Sequence, residues 1–297
     1  MNRRQFLGRA AAAAGAAGGV AAGAPDAPGA GARFRTAICA YSFRKALEAK
    51  SMTYEDLIRL AVETGVDGLD LTVYWFPDTS DGFLLPLRRR AYRMGVELYS
   101  IAVRTDLCRP TEEGRDKELA GIRRWVDVAQ KLGAGHVRIF GGNVPKGFSE
   151  DQAAGWVAET LKRGGEYAGS QGVILGLENH GGITERAARI LDIVRRVDSP
   201  WVGINLDTGN FREKVFEQIE MCLPWAVNTQ VKAEMRSPDG SRGAADWDRV
   251  FAMFARHGYQ GYMAIEYEAE EDSKTAVPRA CRRLRQLAQK YSAAVTG

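Results

Sequence analysis

Short apolar runs alternate along this chain with longer amphipathic segments. Each run is rich in aliphatic or β-branched residues, and a polar turn separates it from a segment with apolar residues every three or four positions. The runs are typical of buried strands and the segments of helices packed on one face. We identify eight strands from this pattern: Thr36–Ser42, Val66–Thr72, Val96–Ala102, His136–Phe140, Val173–Glu178, Val202–Asp207, Ala226–Lys232 and Gly261–Tyr267.

The segments between the strands carry helix start and stop signals. Thr53 precedes an apolar-periodic stretch, Tyr54–Thr64, that Gly65 ends. Ser149 and Gln152 have the spacing of a capping box in front of a long helix. These signals support a strict alternation of strand and helix.

Eight strand–helix units in one chain of 297 residues predict an α/β fold, a single (βα)8 TIM barrel spanning residues 33–297. A barrel of this type typically takes about 250 residues. An open, doubly wound sheet is the competing architecture, but no Gly-x-Gly-x-x-Gly follows the first strand to support it.

The first residues differ in composition from the rest of the chain. Asn2-Arg3-Arg4-Gln5-Phe6-Leu7 resembles a twin-arginine export signal, followed by an Ala/Gly-rich stretch and Ala22-Gly23-Ala24 as a cleavage site. We therefore predict a signal peptide at residues 1–24, a flexible linker at 25–32, and a periplasmic protein. A flexible N-terminal tail is the alternative.

The overall charge does not point to a nucleic-acid partner. The chain has 41 basic and 37 acidic residues, and its pI is near 8.9. Residues 1–24 contain three arginines and no acid, so the remainder is nearly neutral. No apolar run after residue 24 is long enough to span a bilayer, so we expect no stable membrane association after export. Four cysteines without CxxC spacing leave disulfide pairing open.

Candidate chemistry is concentrated where the later strands end. Three carboxylates, Glu178, Asp207 and Glu266, stand at the ends of strands five, six and eight. Since the carboxyl ends of barrel strands form one rim, these acids should meet there and repel each other. A divalent cation bound by oxygen atoms is the simplest way to balance them. The alternative is that each acid caps a helix or lies in a solvated loop.

The strand ends also carry a family resemblance. Leu177-Glu178-Asn179-His180, Asp207-Thr208-Gly209 and Ala264-Ile265-Glu266 make the mature chain resemble the xylose isomerase-like barrels of the sugar phosphate isomerase/epimerase group. That resemblance implies one metal ion held by Glu178, Asp207, Gln230 and Glu266, with the two glutamates as the acid/base pair.

Two positions depart from that family pattern. Gln230 stands where the family has a metal-binding histidine, and Asn210 stands where it has a substrate-contacting histidine. A neutral amide oxygen is a poor zinc ligand, so Mn²⁺ or Mg²⁺ is favoured over Zn²⁺.

Other polar and aromatic residues near the strand ends are candidates for substrate contact. His180 follows Glu178 by two residues and is a candidate for proton transfer. The remaining candidates for substrate binding are Arg138, Asn210, Lys232, Tyr74 and Trp75. Four of these residues also have a structural alternative: an ion pair for Arg138, pairing with Glu234 for Lys232, and packing for Tyr74 and Trp75.

These features predict a metal-dependent sugar isomerase or epimerase that acts through an enediolate. Because phosphorylated sugars are mostly intracellular, an exported enzyme should act on a free sugar or keto-sugar. A lyase or hydratase acting on a 3-keto-sugar or inosose uses the same enolate chemistry and remains the main alternative. A catalytically inactive carbohydrate-binding homologue, a multi-zinc endonuclease and a metal-free glycosidase are further alternatives, the nuclease being disfavoured by only three histidines. The sequence leaves a homo-oligomer open.

Overall fold

A computed structural model describes residues 31–237 and 239–293 of the chain. The predicted signal peptide at residues 1–24 lies outside the described residues, as does most of the predicted linker. The barrel begins at Arg33, directly after the buried Ala32.

Eight parallel strands form a closed barrel. The strands are β1 (Arg33–Cys39), β2 (Gly68–Thr72), β3 (Glu97–Ala102), β4 (His136–Ile139), β5 (Ile174–Glu178), β6 (Val202–Asp207), β7 (Ala226–Lys232) and β10 (Gln260–Glu266). Their order around the barrel is β1-β10-β7-β6-β5-β4-β3-β2, which confirms the predicted TIM barrel and excludes the open sheet.

The first strand begins and ends three residues earlier than predicted. Its pairing with β10 starts at Arg33 opposite Gln260, and residues 40–43 turn into a short 3-10 helix. Arg33 is exposed and Arg35 is half-buried, while Phe34 and Thr36 are buried. Two arginines at the start of the strand interrupt its apolar pattern, so a search for apolar runs does not find this start.

Helices α1 to α9 surround the barrel. The capping box predicted at Ser149 and Gln152 is present at the start of α5, and a second one joins Thr53 to Asp56 at the start of α2. Gly65 ends α2 with a φ of 67°, a conformation that favours glycine. The helices are α1 (Arg44–Glu48), α2 (Tyr54–Thr64), α3 (Asp81–Arg93), α4 (Glu112–Leu132), α5 (Glu150–Ser170), α6 (Ala187–Val197), α7 (Val215–Cys222), α8 (Trp247–Arg256) and α9 (Ser273–Ala293).

A small antiparallel hairpin follows β7 and has no counterpart in the predicted elements. Its strands are β8 (Glu234–Arg236) and β9 (Arg242–Ala244). After the hairpin, the Trp247 indole donates a 2.7 Å hydrogen bond to the carbonyl of Lys232. The loop after β7 is thereby fastened to the end of that strand.

The four cysteines are all free thiols buried in the protein. Within the described part of the chain, no helix is both long and apolar enough to cross a membrane.

The barrel interior contains a histidine close to the backbone of the next strand. His136 Nδ1 lies 2.8 Å from the hydroxyl of Ser100, and the ring faces Gly176 on β5. A Cβ atom at position 176 would lie 2.2 Å from His136 Nε2. Glycine at this position therefore makes room for the imidazole.

We expect this buried histidine to make the protein sensitive to acid. Burial, with a contribution from Arg138, lowers the pKa of His136 to about 3, against about 6.5 in an unfolded chain. Between these values the unfolded chain binds a proton that the folded protein does not, so stability falls as the pH drops. The loss contributed by His136 should approach about 1.4 kcal/mol per pH unit within that window.

Urea unfolding of the wild type and His136→Gln at several pH values checks this expectation. The difference in unfolding free energy between them should change steeply below about pH 6. Parallel pH profiles for the two proteins would contradict it.

Candidate active site

The carboxyl ends of β4, β5, β6, β7 and β10 converge on one polar centre. Their parallel registers place Glu178 beside Asn205, Asp207 beside Gln230, and Lys232 beside Glu266. The centre contains the charged side chains of Arg138, Glu178, Asp207, Lys232 and Glu266, all buried. The predicted convergence of polar strand ends is therefore present.

Asp207 is fixed by its neighbour on β5. The Asn179 side chain donates to the carbonyl of Asp207 at 2.9 Å and accepts from its backbone N–H at 2.8 Å. The Asp207 carboxylate also accepts from the N–H of Gly209 at 2.8 Å. This tight turn places the acid at the end of β6 with little freedom.

Lys232 lies among three carboxylates. Its ammonium nitrogen is 3.2 Å from Asp207 Oδ2 and 3.0 Å from Glu266 Oε2, and it also donates to Glu268. The side chain is only 8% exposed, and those of Asp207 and Glu266 are 0% and 7% exposed. Glu234 pairs instead with Arg242, so the alternative pairing of Lys232 with Glu234 is wrong.

Arg138 pairs with Glu178 in the same centre. Its Nε is 2.9 Å from Glu178 Oε2, and both side chains are 3% exposed. The guanidinium also donates to the hydroxyl of Tyr74 at 3.2 Å and to the carbonyl of Val103 at 3.0 Å. Its Cζ lies 4.0 Å from the centre of the Phe140 ring. The ion pair foreseen as one role for Arg138 is present.

A row of amide groups runs beneath the charged centre. Asn228 Nδ2 donates to Asn205 Oδ1 at 2.8 Å, and Asn205 Nδ2 donates to Gln230 Oε1 at 2.9 Å. Gln230 Nε2 then donates to Asp70 Oδ2 at 3.3 Å. Because a carboxylate only accepts, Asp70 sets the orientation of Gln230 and thus of the whole row.

The buried acids differ in their proton affinity. Burial raises the pKa of Glu178 well above its usual value, although Arg138 opposes the shift. Burial likewise raises the pKa of Asp70, and it raises that of Asp207 to about 7 against the pull of Lys232. Burial opposes the charge of Glu266, but Lys232, Arg138 and a hydrogen bond with Asp207 together leave its pKa lowered. Asp207 is thus the member of its pair with Glu266 that holds a proton more readily.

Both buried cations keep their charge. Burial works against the charged form of Lys232, but Asp207, Glu266 and Glu268 together hold its pKa well above the ordinary value. Burial also opposes the charge of Arg138, and Glu178 nevertheless leaves its pKa raised. Lys232 is therefore a fixed positive charge and a poor general acid.

Two further predicted residues lie at this rim. Asn210 donates to Glu178 Oε1 at 3.2 Å. His180 lies at the surface of the rim, and its ring stands 4.1 Å from that of Phe140. Partial desolvation of the ring, followed by the charges of Arg138 and Lys232, lowers the pKa of His180, so the ring is neutral near pH 7.

An aromatic wall flanks the centre at the ends of β1 and β2. Tyr74 and Trp75 lie in a short 3-10 helix after β2, with ring centroids 5.7 Å apart. Tyr41 contacts both, at 6.4 Å from Tyr74 and 6.0 Å from Trp75. Arg104 lies over the Tyr74 ring at 4.2 Å. Half-buried aromatic rings beside hydroxyl and charged groups are suited to the apolar face of a sugar.

Comparison with known proteins identifies the family. Residues 58–287 match the model of the family described as xylose isomerase-like TIM barrel. The chain belongs to this family. The structural resemblance to xylose isomerase-like barrels inferred from the strand ends is thereby confirmed, and the family includes sugar epimerases, dehydratases and deglycosidases.

Individual members are only distantly similar in sequence. The 3'-dehydrocarminate deglycosidase alpha subunit of a Microbacterium species is 24% identical over 268 residues, covering 86% of this chain and 67% of that protein. D-psicose 3-epimerase of Clostridium cellulolyticum H10, solved with D-tagatose, has a TM-score of 0.70 and 18% identity, covering 88% of this chain and 99% of the other. A xylose isomerase-like barrel protein from Mycobacterium smegmatis, solved with magnesium, has a TM-score of 0.68 and 19% identity over 88% of this chain and 97% of the other.

The Mycobacterium smegmatis protein was solved with magnesium, but the side chains of this chain do not fit a metal ion at the predicted place. The Lys232 ammonium lies between Asp207 and Glu266, the Gln230 oxygen faces Asn205, and Arg138 engages Glu178. Within the described ranges, no three His, Cys, Asp or Glu side chains are grouped as they would be around a metal ion. The arrangement therefore differs from the predicted site at Glu178, Asp207, Gln230 and Glu266.

Sequence reasoning missed three residues of the centre. Asp70 lies fully buried in β2 between two leucines, and a carboxylate inside an apolar run is the signal that marks it. Glu268 contacts Lys232, and Tyr41 completes the aromatic wall. Glu268 and Tyr41 each lie two residues beyond a strand end, of β10 and β1 respectively. Nothing in the sequence around them indicates that they belong to the site.

Proposed function

We propose that this protein is a sugar isomerase or epimerase that acts on a free sugar or keto-sugar through an enediolate. The observation that carries the proposal is the pairing of two buried carboxylates, Glu178 and Glu266, with two buried fixed cations, Arg138 and Lys232. A pocket that combines proton acceptors with fixed positive charge suits the removal of a proton next to a carbonyl group.

The chain's own side chains carry each step. Glu266, whose pKa is lowered, removes the proton from the carbon beside the substrate carbonyl. The C–H electron pair forms the C=C bond of the enediolate, and the carbonyl electrons move to oxygen. Lys232 and Arg138 stabilise that oxygen because their charges are in place before the reaction. In an epimerase, Glu178, whose pKa is raised by burial, returns a proton to the same carbon. In an isomerase, Glu178 gives the proton to the former carbonyl carbon, and the proton of the neighbouring hydroxyl passes to the enediolate oxygen, by way of the neutral His180, as the new carbonyl forms.

Several residues support a sugar as the substrate. The aromatic wall of Tyr41, Tyr74 and Trp75 offers a surface for stacking, and Asn210 and Arg138 offer hydrogen-bond donors at the rim.

The twin-arginine pattern at residues 1–24 supports export to the periplasm, where free sugars are more available than phosphorylated ones. Fusion of residues 1–24 to a reporter tests the export.

Elimination is a second candidate reaction. The similarity to a protein named a deglycosidase favours it, since loss of a group β to a carbonyl starts from the same enolate. A substrate with a leaving group at that position would then be cleaved at the first step after proton removal. Both reactions depend on the same proton transfer.

Solvent exchange tests that shared step. The protein is incubated in D₂O with free ketohexoses, 3-keto-glucose and a 3-keto-glucoside, and ¹H NMR follows the loss of the proton beside the carbonyl. We expect exchange with at least one of these compounds, accompanied by a new epimer, a new isomer or an elimination product.

Matched variants make the test specific. Glu266→Gln, which removes the proposed base, should slow the exchange strongly, and Glu63→Gln, which changes an exposed residue of α2, should keep it. If the protein binds one of these compounds but exchanges the proton of none, it is a carbohydrate-binding protein and not an isomerase. If it hydrolyses a glycoside without exchange, it is a glycosidase.

A further inference from the structure

The ammonium group of Lys232 has the contacts of a bound cation. It has three N–H donors, and three carboxylates surround it: Asp207, Glu266 and Glu268. Its distances of 3.2 Å to Asp207 and 3.0 Å to Glu266 suit an ammonium ion. Mg²⁺ and Ca²⁺ hold oxygen ligands closer, at about 2.0–2.6 Å. The separations from Asp207 and Glu266 are therefore those of an ammonium contact and not of a metal–ligand bond.

The lysine is held in this position along its whole length. Its backbone N–H donates to the hydroxyl of Thr208 at 3.0 Å, and its carbonyl accepts from Trp247 at 2.7 Å. The side-chain stem packs over Gly209, where an added Cβ would lie 2.5 Å from Lys232 Cγ. The backbone and the stem of Lys232 are therefore fixed, and the ammonium extends from them into the centre.

The remaining candidate ligands are also engaged. The amide oxygen of Gln230 accepts a hydrogen bond from Asn205, and its amide nitrogen donates one to Asp70. The oxygen of Gln230 therefore does not face the carboxylates. Glu178 is engaged by Arg138 and Asn210. A metal ion at this place would need the lysine to leave and the amide row to reverse.

We propose that Lys232 is the resident cation of this centre, so that the protein binds no divalent metal ion there. This proposal concerns the same charged centre as the proposed function, but it does not depend on which reaction takes place there. It adds to that function that the Lys232 side chain occupies the position of a metal ion. Removing the ammonium should then leave Asp207, Glu266 and Glu268 without a balancing charge and create an affinity for divalent ions.

Binding of Mn²⁺ to the full chain tests the proposal without any substrate. Equilibrium dialysis with elemental analysis, and electron paramagnetic resonance of free Mn²⁺, measure the ions bound per chain. We expect no stoichiometric Mn²⁺ on the wild type. Lys232→Met should bind one ion with an affinity at least about 100-fold above that of the wild type, since the variant lacks the positive charge that repels a second cation from these carboxylates. Mn²⁺ should also raise the melting temperature of this variant alone.

The control is Lys290→Met, which removes an exposed lysine paired with Asp248 on the outside of the barrel. It should behave as the wild type. One Mn²⁺ per wild-type chain, lost in Asp207→Asn, would overturn the proposal. A folded Lys232→Met protein that binds Mn²⁺ no more tightly than the wild type would overturn it as well. If that variant does not fold, the wild-type titration decides alone. Failure of the exchange assay leaves this result unaffected, because no turnover is measured.

Discussion

Arg138→Met should lower the free energy of unfolding by about 3–5 kcal/mol, because it leaves the buried Glu178 carboxylate without its cation. Both side chains are 3% exposed, so water cannot replace the lost charge. The loss should be smaller at low pH. Burial already raises the pKa of Glu178, and a protonated glutamic acid needs no partner. Urea unfolding at two pH values measures both effects.

The double variant Arg138→Met, Glu178→Gln separates charge from packing. It removes both charges, so it should recover a large part of the stability lost in the single variant. Arg163→Met, which breaks an exposed ion pair with Asp116, should cost at most about 1 kcal/mol. A double variant as unstable as Arg138→Met would show that packing of the arginine, and not its charge, holds this part of the barrel.

Glu266→Gln should lower the rate of solvent exchange by about 10²–10⁴-fold, the range expected when a general base is lost. Of the buried acids paired with Lys232, Glu266 has the lowered pKa, so it is the one ready to accept a proton near pH 7. The amide keeps the size of the side chain and a hydrogen-bonding group beside the ammonium. The effect should appear in kcat far more than in KM.

Glu268→Gln provides the matched comparison for this variant. Glu268 also contacts Lys232, but its side chain is 29% exposed and lies farther out along the chain. If Glu266 acts as the base, Glu268→Gln should cost far less activity, at most about tenfold. Equal losses in the two variants would mean that both acids act only by holding Lys232.

Much of the barrel follows from the sequence because its elements obey short-range rules. Apolar runs mark the strands, and caps such as Ser149 with Gln152 mark helix starts. The hairpin of β8 and β9 was missed because its strands are three residues each and mostly polar, so no periodicity indicates them. The start of β1 was missed for a related reason, because Arg33 and Arg35 interrupt its apolar pattern.

The position of the acids at one end of the barrel was also predictable, because the carboxyl ends of all eight strands lie at that end. The partners of these acids were not, because they come from side chains far apart in sequence. Alternation along β7 places Asn228, Gln230 and Lys232 on one inward face, and that pattern was available. Which of them would meet the carboxylates depended on Asn205 and Asp70, on β6 and β2.

The row from Asn228 through Asn205 and Gln230 to Asp70 has a direction, with every amide donating the same way. No amide of the row can reverse alone without setting a donor against a donor or an acceptor against an acceptor. The residues of the row should therefore be conserved or substituted together during evolution. In relatives with a histidine at the position of Gln230, the residues at positions 205 and 228 should differ together with it. A survey of natural sequences for joint change at these three positions would separate chains with an internal lysine cation from those built around an ion.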